Sequence, residues 1–128
     1  MGKPHALSEI REVEFVLEDN QDDDDKVTFT LKSLRGKHRD VVRDRTRENA
    51  KVIGDQVHAV IADYMAANRL AVQFGLVGWD GLERGDGSAV KFPGKGMAAV
   101  HELDDDTLQE LGEEIRRISE LTGDEAKN

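Results

Sequence analysis

Cysteine is absent from the 128 residues, which excludes disulfides, thiolate metal sites and cysteine nucleophiles together. Aromatic residues are scarce, with one Trp, one Tyr and four Phe, so any core has to be lean and mostly aliphatic. No apolar run approaches the roughly 20 residues that a membrane-spanning helix needs. The opening Met1-Gly2-Lys3-Pro4-His5-Ala6-Leu7-Ser8 lacks the apolar centre of a secretory signal. A cytoplasmic protein with no membrane partner is expected.

The motifs of catalysis are missing as well. The four histidines are far apart and none stands in a His-x-x-x-His pair. Counting back from Gly87, an EF-hand ligand loop would need oxygen donors where Arg84 and Leu82 stand, so calcium fails there. Gly94-Lys95-Gly96 is too short to cradle a phosphate, and no serine lies in a nucleophile elbow. The expectation is a protein that is not an enzyme and carries no cofactor, metal or small-molecule substrate.

Charge is abundant. The formal net charge of −9 opposes nucleic-acid binding, because a duplex would repel most of the surface. The acids are concentrated in two blocks, Glu18 to Asp25 and Asp104 to Asp106, whereas an inhibitor that imitates DNA would space its carboxylates along one continuous face. Between them, from Arg35 to Lys51, seven bases stand against three acids, a local balance of +4. That stretch is thin in apolar residues and reads as an exposed, ion-paired helix or as a partly ordered arm.

The length suits one small domain, residues 1–128, of α+β class, with residues 1–9 a flexible lead. Val13, Phe15 and Leu17 alternate with Glu12 and Glu14 as in a half-buried strand, and Val27-Thr28-Phe29-Thr30-Leu31 repeats the pattern more cleanly. The two make an N-terminal antiparallel pair joined by the acidic loop 18–26, which repels itself and stays solvated. A long central helix follows, in which Gly54 allows a kink or boundary, with Ile53, Val57, Val60, Ile61, Tyr64 and Met65 on one face and Gly75 as its C′ residue. Val77 to Leu82 and Ala89 to Phe92 flank Gly85-Asp86-Gly87 as in a β-hairpin around Trp79. Met97 to Leu103 is ambiguous. Asp106 and Gln109 then suit a capping box opening a C-terminal amphipathic helix, with Leu108, Leu111, Ile115, Ile118 and Leu121 on one stripe. Gly123 is placed to end it, leaving 123–128 a flexible tail. Trp79 and the stripe either pack on the chain's own core or are shared with a partner.

The order of these elements, with Val27 to Leu34, the charged helix, Gly78-Trp79-Asp80-Gly81, Asp86-Gly87, Val90-Lys91-Phe92 and the ending Leu121 to Asn128, resembles the tail assembly chaperones of long-tailed bacteriophages. In that class the product coats the long helical tape measure protein until tail tube subunits replace it. The resemblance implies a non-enzymatic chaperone in the host cytoplasm, absent from the finished virion, that binds the tape measure protein, with the major tail protein as a second candidate partner, and associates with itself. On that expectation Trp79, Leu108, Leu111, Ile115 and Ile118 provide an apolar grip, and Arg39, Arg43 and Arg47 a basic one. In the class a longer form often arises by ribosomal frameshifting, and Lys127-Asn128 suits adenine-rich slippery codons. The competing expectation is a structural virion component, a head–tail connector or tail completion protein.

Overall fold

The computed structural model describes residues 11–50 and 57–127, with side chains described over 11–45 and 64–120. A three-stranded antiparallel sheet carries β2 (Thr28–Lys32) at its centre, between β1 (Glu12–Phe15) and β3 (Leu76–Asp80). Strand alternation sorts the side chains as their polarity requires. Val13 pairs with Leu31, Phe15 with Phe29, and Phe29 with Trp79, all on the covered face. Glu12 and Glu14 point outward. A register shift between Thr30 and Leu31 re-aims the β2–β3 ladder.

The long helical region is described as two helices, α1 (Gly36–Ala50) and α2 (Val57–Gly75), and Gly54, where a boundary is allowed, lies outside the described residues. They pack antiparallel, with the His38 ring near the start of α1 stacked 4.1 Å from the Phe74 ring near the end of α2. Of the apolar face expected on the long helix, Ile53 lies outside the described residues, and Tyr64 and Met65 are half-buried. Gly75 is not a left-handed cap. It closes α2 with negative φ, and a Cβ there would fall 2.7 Å from Ile115 Cγ2, so its role is to leave room.

A short helix, α3 (Gly96–Val100), and the long α4 (Asp105–Lys127) complete the chain. Asp104, not Asp106, caps α4: the Thr107 N–H donates to its Oδ1 at 2.8 Å. The Thr107 side chain and, second to it, this backbone bond hold the Asp104 carboxyl below its ordinary pKa. Gln109 makes no capping box and instead donates to Glu113. Gly123 does not end the helix, which runs to Lys127; the expected lead, residues 1–9, and Asn128 lie outside the described residues.

A tight seam lies where α4 crosses α2. A Cβ on Gly112 would lie 2.6 Å from both the Cβ and the backbone oxygen of Asn68, so only glycine allows the two backbones this close. Leu108, Leu111, Ile115 and Ile118 then meet Ala67, Ala71, Val72, Phe29 and Leu31 in one core. Ser119 ties the end of β2 to this seam, accepting from the Leu34 N–H at 2.7 Å while donating to the Ile115 carbonyl.

Candidate partner-binding surfaces

The four stripe residues of α4 are not a free surface. Each is at most 4% exposed, and all are spent on the chain's own core. An amphipathic stripe in sequence looks the same whether it closes its own domain or meets a partner, and here the chain's own sheet and α2 cover it.

Trp79 is half-buried and equally engaged. Its ring meets Phe92 edge-on at 4.9 Å and Phe29 at 6.4 Å, and its indole N–H donates to the Val90 carbonyl at 2.7 Å. Trp79 packs against these rings and the core. The turn expected beyond it exists: Gly87 takes a φ of +87°, and Ser88 donates its N–H and O–H to Asp86 Oδ1. Those bonds hold the exposed Asp86 carboxyl below its ordinary pKa. The expected hairpin is short and lies beyond β3: Glu83 bridges Ala89, the Val90 N–H donates to the Leu82 carbonyl and the Arg84 N–H to the Ser88 carbonyl, both at 2.8 Å, while β3 itself pairs with β2.

The basic residues divide. Arg39 is half-buried and Arg43 exposed, whereas the Arg47 side chain lies outside those described. Arg39 and Arg43 stand four apart on α1 and line a cavity of about 190 Å³ with Arg116 of α4, over a floor that includes Leu34 and Val42. Arg116 is itself held in place. It donates to Asn68 Oδ1 at 3.1 Å, and its guanidinium sits 5.1 Å from the centre of the Tyr64 ring. Burial, and the Glu113 carboxylate that accepts its hydroxyl proton, push the Tyr64 phenol above its ordinary pKa.

A surface that the sequence did not single out lies between α2, α3 and the start of α4. There Met97, 61% exposed, stands at the lip of an open groove of about 580 Å³. Ala66, Leu70, Val100 and Leu103 supply its apolar lining, and Arg45, His101 and the Arg69–Asp105 ion pair its polar rim. A flexible, polarizable methionine beside small apolar residues suits an adaptable contact with another chain's apolar face. The only hint in sequence was an apolar run too short to assign.

Elsewhere, the acidic loop joins β1 to β2 with its acidic side chains exposed, as expected, and is in addition a built turn. Asn20 Nδ2 donates to Asp23 Oδ2 and to the Asp25 carbonyl, Asn20 Oδ1 accepts from the Val27 N–H, and the Glu18 N–H donates to Glu110 Oε2 of α4. No group of three or more His, Asp or Glu side chains that could hold a metal ion occurs among the described residues. No helix among them is long and apolar enough to cross a membrane. The chain matches no family model, no curated protein and no solved structure.

Proposed function

We propose that this chain is a non-enzymatic binding protein of the host bacterial cytoplasm that keeps a long, helix-rich polypeptide soluble, and that the polypeptide is a phage tape measure protein. The observation that carries this reading is the groove beside Met97: an exposed large apolar side chain at the mouth of a concave channel whose apolar lining is flanked by a charged and polar rim. A groove of this kind receives the apolar face of an amphipathic helix. The net charge of −9 supports solubility for a complex carrying many copies. The grip assigned to Trp79 and the α4 stripe passes to this groove, because those residues are already packed.

The test is co-expression with the long coiled-coil-rich protein encoded nearby, followed by light scattering of the purified complex. A soluble particle with many copies of this chain per partner is expected. Met97→Glu should weaken it at least about tenfold, since a charge would have to be desolvated in the groove. Val77→Glu, at a residue 40% exposed on β3, should leave it intact. The absence of any complex would sink the chaperone reading and favour a connector or tail completion component.

A further inference from the structure

The strongest opposition of charge in the molecule is between two places that cannot reach each other within one chain. The acidic loop precedes β2, and Glu18 is bonded to Glu110 of α4. The arginine cavity follows β2, where Leu34 is bonded to Ser119 of α4. Nine residues of helix separate those two anchors on α4, roughly 13 Å at the α-helical rise. Along the sheet the full length of β2 lies between them, about 17 Å. The loop and the cavity are therefore at opposite ends of the protein.

Both are preformed. Asn20 pins the loop so that the carboxylates of Glu18, Asp19, Asp22, Asp23, Asp24 and Asp25 face solvent. At the other end, Asn68 and Tyr64 fix Arg116, and neither Arg39 nor Arg43 makes an ion pair among the described residues. Glu120 also lines the cavity, so three guanidiniums stand there against one carboxylate; over the floor of Leu34 and Val42 they recognise further carboxylates well, because each presents a planar fork of donors and the floor keeps water from one side.

We propose that the acidic loop of one copy of this chain docks in the Arg39–Arg43–Arg116 cavity of a second copy. The two surfaces differ and lie at opposite ends, so the contact is head-to-tail and propagates into a chain or closes into a ring. The net charge of −9 on each copy does not forbid this. At about 0.15 M salt, charges more than about 8 Å apart are largely screened, while charges in contact are not. The contact does not depend on the chaperone reading, since it is made by the isolated chain.

Sedimentation equilibrium of the purified chain tests it. In about 0.15 M salt the wild type should assemble beyond a dimer with rising concentration, and about 1 M salt should return it to monomer. Arg39→Ala/Arg43→Ala and Asp23→Asn/Asp24→Asn/Asp25→Asn should each weaken association at least about tenfold. All five side chains carry their charge at the surface, and circular dichroism should give wild-type helix content for both variants. Mixed in equal amounts, the two variants should form a one-to-one pair and nothing larger, because only one intact loop and one intact cavity can meet. A wild type that stays monomeric at every concentration in the lower salt overturns the proposal. So does assembly that persists in both variants or in high salt, which would locate the contact elsewhere.

Discussion

Helices α1 and α4 are both rich in charge, yet they do opposite things for the molecule. Over its described side chains α1 buries one large apolar residue, Val42, and leaves its bases at the surface. In contrast, α4 buries Leu108, Leu111, Ile115 and Ile118 and brings Gly112 hard against α2. The contrast teaches that charge content does not decide whether a helix is structural. Apolar spacing does, because only a continuous stripe removes enough area from water to offset the ordering of the chain.

The largest expected effect sharpens this contrast. Ile115→Ala, at a fully buried position, should cost about 4 kcal/mol in urea unfolding through lost burial and a residual cavity. Gly112→Ala should follow at about 3 kcal/mol, since the added methyl meets the backbone of α2 and cannot be relieved by a rotamer change. Val42→Ala in α1 should cost about 2 kcal/mol. Should Val42→Ala prove as damaging as Ile115→Ala, α1 would be as structural as α4 and the contrast would fail.

The smallest effect concerns the first turn of α4. Asp104→Ala removes the acceptor of the Thr107 N–H and should cost about 1 kcal/mol at neutral pH. The Asp104 carboxyl is held below its ordinary value of 3.8, so its contribution is present above that value and disappears as the pH falls through the lower folded value. The stability difference between wild type and Asp104→Ala, followed by thermal unfolding on acidification, should therefore shrink below about pH 4. Asp104→Asn should retain the cap at neutral pH and lose most of this pH dependence.

Much of the fold was legible in the sequence because it is local. The alternation of Val13, Phe15, Phe29 and Leu31 requires strands with one covered face, and the spacing of Leu108, Leu111, Ile115 and Ile118 requires a helix with one buried side. The cap of α4 was misplaced by two residues, because three consecutive aspartates are equivalent until Thr107 selects one of them. The hairpin around Trp79 was half right. Its turn and the short pairing of Leu82 to Arg84 with Ser88 to Val90 are local, but the pairing of β3 with β2 is a long-range choice. The candidate surfaces were least legible. The Met97 groove depends on three helices meeting, and the arginine cavity on Arg116 arriving beside Arg39 and Arg43 from a distant part of the chain.

The sequence by itself determined the class of the protein: an α+β chain without cysteine chemistry, with two acidic blocks around a basic one and an apolar stripe in its last helix. Those properties follow from composition and from periods of two and 3.6 residues, which neighbouring residues alone establish. Only the tertiary structure decided that the stripe and Trp79 are spent on the core, that the groove beside Met97 is left open, and that the acidic loop and the arginine cavity lie at opposite ends. Burial and separation depend on which distant segments pack together, and here Gly96 and Gly112 let α3 and α4 come close to the backbone of α2.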